Sequence, residues 1–354
     1  PNTKIVVTGC AAQIEPETFI DMHEVDKVIG NSEKRDIASH LLRNDNNLVS
    51  DIMTNKDPLN SLSAGYKNKT RAFVEIQNGC NHRCTFCVIP YGRGNLRSKP
   101  KEQIIIEIND LINKGHKEII LTGVDIASWN MENHNESSLG VLIEYILNKI
   151  PSLERLRLSS MDIIGFDEKL IELIANNKRI LPHIHLSLQS GDNLILKRMK
   201  RRHLREDAIE LCKKLKQRRP EISFGADLIV GFPTETEEMF QNTLNIVEEC
   251  QLDWIHAFPF SPRPGTPAAK MPQNDTKVIK QRSKVLREVA RKRKKSYLEN
   301  LVGKSIEVFV EKDNKGYSNQ FAPIKLIEKN IESGQTITAL IKTSDENFAH
   351  GVAI

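Results

Sequence analysis

From residue 71 onward the apolar positions alternate between two periods. Short runs at 72–77, 117–122, 154–159, 183–189, 222–230 and 254–260 are rich in Val, Ile, Leu and Phe and end in Gly, Ser or Pro, which predicts strands. Between them, the windows 101–114, 139–149, 167–177, 204–217 and 235–250 carry apolar residues three and four apart, which predicts helices. Six β/α units joined by short loops require parallel strands with right-handed crossovers, hence an α/β fold built as an open or partial (βα)6 barrel. Functional groups in such folds gather where strands end. Those ends read Asn78-Gly79-Cys80, Thr122-Gly123-Val124-Asp125, Ser159-Ser160-Met161-Asp162, Ser187-Leu188-Gln189-Ser190-Gly191, Val230-Gly231-Phe232-Pro233 and Phe260-Ser261-Pro262-Arg263. Together they predict one large shared site on one rim.

The flanks differ from this pattern. Residues 1–54 show a strand from Lys4 to Thr8, a second from Val25 to Ile29 and a helix-like stretch from Glu33 to Arg43. Two strands are too few for an independent sheet domain, so this piece reads as part of a larger α/β domain. Residues 55–69, rich in Ser, Asn and Lys, read as a linker to the barrel at 70–275. A basic helix follows at 276–300. Residues 301–354 turn to alternation, with Ile306, Val308, Val310 and then Ile337, Ala339, Ile341 punctuated by glycines, which predicts a small antiparallel β-barrel.

Composition narrows the class. With 354 residues, 39% hydrophobic and 27% charged, the chain is globular and long enough for two or three domains at roughly 150 residues each. Disordered, collagen-like and coiled-coil classes are excluded. No run approaches the ~18 apolar residues of a membrane span and no signal pattern opens the chain, so a cytoplasmic protein with no membrane or DNA partner is expected. The formal charge of +5 is unevenly spread: Lys277 to Lys295 holds ten Lys/Arg against one acid, Glu288, a local charge of +9. Such a stripe suits a polyanion, the plainer alternative being a solvated helix face.

Six cysteines in a cytoplasmic chain argue against a disulfide scaffold. Cys212 and Cys250 lie in apolar helical patterns and read as buried small hydrophobes, while Cys10 ends a strand-like run. Cys80, Cys84 and Cys87 share one loop directly after a strand. Three thiolates on a four-iron cluster would leave one iron open to a chelating molecule. The alternatives are unrelated free thiols, or a zinc site using His82 as fourth ligand, strained because His82 lies between two of the cysteines.

Cys80-Asn81-His82-Arg83-Cys84-Thr85-Phe86-Cys87 resembles the signature of radical S-adenosylmethionine enzymes, and Val88-Ile89-Pro90-Tyr91-Gly92-Arg93-Gly94 continues as in their methylthiotransferase branch. Similar agreement appears at Leu186 to Gly191, Arg198 to Arg201, Asp227 to Thr236 and Arg263 to Ala268. The C-terminal domain is similar to the RNA-binding TRAM module. The resemblance implies a partial (βα)6 radical-SAM barrel in which Cys80, Cys84 and Cys87 hold a 4Fe-4S cluster. S-adenosylmethionine would chelate the fourth iron and be cleaved to a 5′-deoxyadenosyl radical. Phe86, Gly123, Val124, Ser187, Gln189, Arg201, Ile229 and Val230 would contact that cofactor. Gly123 and Val124 would meet the methionine amino group, Ser187 and Gln189 the ribose, Arg201 the carboxylate, and Ile229 and Val230 the adenine.

Family members also carry a second 4Fe-4S cluster on three cysteines of an N-terminal domain. Thr8-Gly9-Cys10-Ala11-Ala12-Gln13 resembles the third of those positions, making Cys10 a ligand by resemblance. The first two positions have no counterpart within the chain, so residues 1–54 read as the C-terminal part of a truncated domain, the alternative being a degenerate form. Among family substrates, Val7 to Gln13 and His256 to Ser261 look most like the branch acting on threonylcarbamoyladenosine in tRNA. The alternatives are isopentenyladenosine in tRNA, an aspartate of a ribosomal protein, or no sulfur insertion at all in a truncated iron–sulfur RNA-binding protein. The expected partners are tRNA, held by Lys284, Arg287, Arg291, Arg293 and Lys295, and a low-potential electron donor.

Overall fold

The structure, a computed structural model, describes residues 3–42, 47–56, 59, 70–133, 138–327 and 331–354. At the N-terminus three short parallel strands pair in the order β1 (Val6–Thr8), β2 (Lys27–Ile29) and β3 (Asn47–Leu48). The third strand joins the two expected. Helices α1 (Cys10–Ile14) and α2 (Pro16–Ile20) separate the first pair. Cys10 therefore does not end a strand: β1 stops at Thr8, Gly9 turns the chain at φ +116°, and Cys10 is the first helical residue. The helix-like stretch divides into a 3₁₀ turn at Glu33–Asp36 and α3 (Ile37–Leu42). Of the linker, only Asn55, Lys56 and Leu59 lie within the described residues.

The barrel runs β4 (Arg71–Asn78), α4 (Ile89–Arg93), β5 (Arg97–Ser98), α5 (Lys101–Asn113), β6 (Glu118–Gly123), α6 (Leu139–Lys149) and β7 (Arg155–Leu158). It continues through α7 (Glu168–Asn176), β8 (His183–Gln189), α8 (Asn193–Arg198), α9 (Arg205–Arg218), β9 (Ser223–Val230), α10 (Glu237–Glu249) and β10 (Leu252–Pro259). Strands β4, β6 and β7 form one parallel group with β5 antiparallel on its outer edge, and β8, β9 and β10 form a second. Single bridges, Leu156 to Ile180 and Met161 to Leu186, join the halves. Several helices begin on side-chain caps, which satisfy their first free N–H groups: Asp167 accepts from Leu170 N at 2.7 Å, Asp192 from Leu194 N at 2.9 Å.

Period-two alternation sorts the strand residues into two faces. Val74, Ile76, Ile119, Leu121, Leu156, Leu158, Leu186, Leu188, Ala226 and Leu228 enter the main core under the helices, which also contains Ile108, Ile143, Leu211 and Ile246. The opposite, concave face carries Gln77, Glu118, Arg155, Arg157, His183, His185, Ser187 and Asp227, so the barrel's interior is polar. Helix α11 (Thr276–Glu299) runs along β10 and inserts Leu286 into the core.

Strands β11 (Ser305–Val310), β12 (Lys315–Ser318), β13 (Pro323–Leu326), β14 (Thr336–Ser344) and β15 (Ala349–Ala353) close a C-terminal barrel in the order β11-β12-β13-β15-β14. All pairs are antiparallel as expected except β13 with β15, which run parallel. Its turn at residues 319–321 stops the bottom of the larger barrel. Asn319 O accepts from Arg157 Nη1 at 3.3 Å, Gln320 O from Ser223 Oγ at 2.7 Å, and Phe321 stacks on His183 at 4.9 Å.

Candidate functional site

The loop after β4 carries Cys80, Cys84 and Cys87, all half-buried free thiols. Its shape is fixed from both ends. Gly79 adopts φ +71° and a Cβ there would overlap the Asn95 carbonyl oxygen, so the turn requires glycine. Cys80 N donates to Gly94 O at 3.1 Å, Thr85 N to Met199 O at 3.1 Å, and Thr85 Oγ1 to Arg198 O at 2.7 Å. Arg83 ties the loop to itself and to its neighbour, donating to Cys80 O at 2.6 Å and Asn95 Oδ1 at 2.8 Å. Gln77, fully buried, donates to Gly79 O at 2.6 Å and accepts from Asp125 N at 2.7 Å. That one side chain locks the cysteine loop to the turn after β6.

The donor set suits a metal cluster. Burial raises the Cys80 thiol to about 11, a backbone hydrogen bond opposing it and Asp125, Cys84 and Cys87 adding to it; burial likewise raises Cys87. Burial thus opposes the thiolate form at Cys80 and Cys87, a cost that a cationic centre bound by the loop would offset. Among the described residues Arg201 aims its guanidinium at them. It is held by Ser187 O at 2.6 Å and Asp162 Oδ2 at 3.3 Å, with Nη1 3.8 Å from Cys84 Sγ and a buried Nε left without a partner. Burial opposes ionisation of Asp162, yet a hydrogen bond from His203 and the charges of Arg201 and Arg202 hold its carboxyl well below the usual range.

His82 groups with Cys80 and Asp125 rather than with all three thiols. Its Nε2 lies 2.8 Å from Asp125 Oδ2 and 3.4 Å from Ser128 Oγ, and Cys80, His82 and Asp125 offer ligand atoms within 4.8 Å of one another. A zinc ion there would leave Cys84 and Cys87 without a task.

The expected cofactor residues mostly meet around this loop. Phe86 packs edge-on to Phe232 at 6.5 Å beside Ile229, Ile195, Met199 and Phe260. Gly123 approaches β4 so closely that a Cβ would stand 2.6 Å from Gln77 O. Val124 is exposed, and Ser187 and Gln189, the latter at φ +72°, end β8 on the concave side. Val230 requires correction: it is fully buried in the main core, on the face of β9 opposite Ile229, so only Ile229 of that pair faces the rim. Cys10 lies apart from the other three but against the helix that follows them, with Arg93 Nε 3.1 Å and Asn31 Nδ2 3.7 Å from its sulfur. No cluster of three metal-ligating side chains among the described residues includes it.

The basic helix is less free than its sequence suggests. Arg293 pairs with Glu248 at 3.1 Å and Asp253 at 3.4 Å, Arg291 with Glu288 at 2.8 Å and with Glu346, and Lys295 with Glu299 at 3.8 Å. Arg282 is buried on Glu235 at 2.9 Å. Glu235, Glu248, Asp253 and Glu346 come from elsewhere in the fold and Glu299 from the helix's own end, so the local +9 overstates the available charge. Lys277, Lys280, Lys284 and Arg287 remain exposed, spaced by three and four along one stripe at ~100° per residue.

Sequence reasoning missed Gln77, Asp162 and the His185–Asp227–His256 group. Asp162 was visible as a polar strand end, but its partners Arg201, Arg202 and His203 lie some forty residues away. Among the described residues no helix is long and apolar enough to cross a membrane.

Comparison with known proteins agrees with this geometry. Residues 74–247 match the radical SAM superfamily model. The threonylcarbamoyladenosine tRNA methylthiotransferase MtaB of Rickettsia prowazekii is 44% identical over 100% of this chain and 84% of its own length. The protein of the same name from Aquifex aeolicus is 37% identical over 96% of this chain and 84% of its own, and the tRNA-2-methylthio-N(6)-dimethylallyladenosine synthase of Shouchella clausii is 37% identical over 89% of this chain and 62% of its own. Among solved structures, the cobalamin-dependent S-adenosylmethionine radical enzyme OxsB shares the fold at a TM-score of 0.52 and 14% identity, covering 80% of this chain and 42% of that one. A three-cysteine loop at the head of a partial barrel, together with relatives this similar over this length, means that the chain belongs to the radical S-adenosylmethionine methylthiotransferase family.

Proposed function

We propose that the protein converts N6-threonylcarbamoyladenosine beside the tRNA anticodon to its 2-methylthio derivative. The observation that carries this is the three-thiol loop with Arg201 aimed at it, in a chain whose relatives bear that activity in their names. Cys80, Cys84 and Cys87 would hold the 4Fe-4S cluster on which the family relies. Bound there and reduced by a low-potential donor, it would supply the electron for cleaving S-adenosylmethionine, a radical route suited to the unactivated C2–H of adenine. The chain's own residues prepare the place. Arg201, braced by Asp162 and Ser187, offers a fixed cation for a carboxylate. Phe86, Ile229 and Phe232 form an apolar wall that excludes water, and Gly123 lets the β6 turn come close to the loop. Cys10, beside Arg93, is the residue of this chain that would serve the family's second cluster.

Expressing the full reading frame in a strain whose tRNA accumulates threonylcarbamoyladenosine tests the assignment. The 2-methylthio nucleoside should appear in digested tRNA; conversion of isopentenyladenosine alone, or no conversion, would refute it.

The tRNA backbone is assigned to the exposed stripe of α11 and the small barrel after it. Because Arg291, Arg293 and Lys295 are paired with acids, the burden moves to Lys280, Lys284 and Arg287. Reversing these three to Glu should weaken tRNA binding and flatten the plot of log affinity against log salt by about 2–3, at ~0.7–0.9 per phosphate contact. Iron content should not change. An unaltered slope in filter binding would mean a helix that is merely solvated.

A further inference from the structure

The concave face holds a polar group for which nothing above accounts. His185 on β8, Asp227 on β9 and His256 on β10 converge from three neighbouring strands, with His185 Nε2 and His256 Nδ1 each 3.0 Å from Asp227 Oδ1. Each lies two residues before a position near the strand's rim end: Ser187, Ile229 and Phe258. Alternation keeps all six on one face and sets the group about 6.6 Å deeper than the rim. We infer that His185, Asp227 and His256 form the subsite that receives the anionic N6 substituent of the target adenine and so select a carboxylate-bearing base over one with an apolar substituent. This inference rests on the tRNA substrate proposed above.

The chemistry of the pocket favours an anion. Both imidazoles donate to the same carboxylate oxygen, which fixes their tautomers. His185 fits because residue 225 is glycine: a Cβ there would overlap His185 Nδ1. The side chain of His256 is 63% exposed, on the open side of the barrel at its edge strand, with Nε2 as its remaining polar atom. The hydrogen bond to Asp227 raises its pKa against the opposing effect of burial, favouring an imidazolium. One layer deeper, Arg155 and Arg157 share the single carboxylate of Glu118, and each keeps a buried Nη2 without a partner. Glu307 also pairs with Arg155 at 3.3 Å, so the deeper charges are balanced, and what this wall offers an anion is its unpartnered Nη2 donors together with His256 Nε2. A threonylcarbamoyl group offers a carboxylate and a hydroxyl at the end of a short polar arm, of a reach comparable to one pleat. A dimethylallyl group offers nothing to hydrogen-bond, and burying these donors against it would leave them unpaired.

The test uses cluster-loaded protein and three anticodon stem-loops carrying threonylcarbamoyladenosine, isopentenyladenosine or plain adenosine. Wild type should bind the first most tightly. His256→Phe should lose about tenfold or more in affinity for that loop alone, whereas His256→Gln, which keeps a donor, should recover part of the loss. Equal thermal midpoints would show that the variants are folded. If His256→Phe keeps the wild-type preference, the inference is wrong, even though wild type still methylthiolates threonylcarbamoyladenosine. Should wild type convert only isopentenyladenosine, the substrate assignment itself fails. Two histidines and a carboxylate can also hold a divalent ion; a stoichiometric metal beyond the cluster iron, lost in His256→Phe, would overturn the carboxylate subsite.

Discussion

Replacing any one of Cys80, Cys84 or Cys87 with Ala should abolish formation of 5′-deoxyadenosine and leave the anaerobically reconstituted protein with little of its iron and its brown colour. The three thiols share one loop and are half-buried; Cys212 and Cys250 are buried in the core behind the strands, and Cys10 is held by Arg93 and Asn31 against the following helix. With one ligand gone, a second iron is exposed to solvent and the cluster is lost rather than merely weakened. The neighbouring groups able to ligate a metal, His82 and Asp125, are engaged with each other at 2.8 Å, and His82 lies 3.4 Å from Ser128 Oγ. Iron content and product formation are therefore expected to fall together in all three variants. A Cys84→Ala or Cys87→Ala protein that keeps wild-type iron and activity would instead favour a metal held by Cys80, His82 and Asp125.

The second large effect concerns stability. Glu118 is almost fully buried and pairs with two equally buried guanidiniums, Arg155 Nε and Arg157 Nε, both at 3.0 Å. Glu118→Ala leaves buried Arg157 without its carboxylate and Arg155 with only the half-exposed Glu307 at 3.3 Å, and breaking a buried pair in this way costs about 3–5 kcal/mol. The thermal midpoint should drop by on the order of 10 °C, at ~2–4 °C per kcal/mol for a chain of this size. The same two arginines dock the C-terminal barrel, Arg155 Nη1 donating to Asn319 Oδ1 at 2.8 Å and Arg157 Nη1 to Asn319 O at 3.3 Å. Limited proteolysis should therefore release that barrel sooner in the variant. Burial alone would raise the Glu118 pKa, but the charges of Arg157 and Arg155 outweigh it and the net direction is downward. Its contribution is thus complete above the unfolded value of ~4.3 and is lost as pH falls below that. A midpoint unchanged in Glu118→Ala would mean that the arginines find other partners.

The barrel was legible because its two periods are strong: strands and helices of four to fourteen residues fall within one or two residues of the positions set by the apolar pattern. Helices α1, α2, α4 and α8, five or six residues long, lie below what periodicity can report. The cysteine loop was legible because all three ligands are adjacent in sequence. Its supports Gln77 and Asp162 were not, since they act across turns on partners from other strands. The free charge of α11 was overestimated for the same reason: Glu235, Glu248, Asp253 and Glu346 reach it through the fold. Of Ile229 and Val230, only the alternation phase of β9 decides which one faces the rim, and the motif alone does not supply that phase.

The most direct test of the central claim is isotopic. The reduced, cluster-loaded full-length protein is incubated with tRNA bearing threonylcarbamoyladenosine and with S-adenosylmethionine deuterated in its methyl group, and the tRNA is digested and analysed by mass spectrometry. The account predicts a threonylcarbamoyladenosine nucleoside that has gained one methylthio group carrying the label at C2, with 5′-deoxyadenosine formed alongside. Unmodified nucleoside recovered from a brown protein that cleaves S-adenosylmethionine would contradict it.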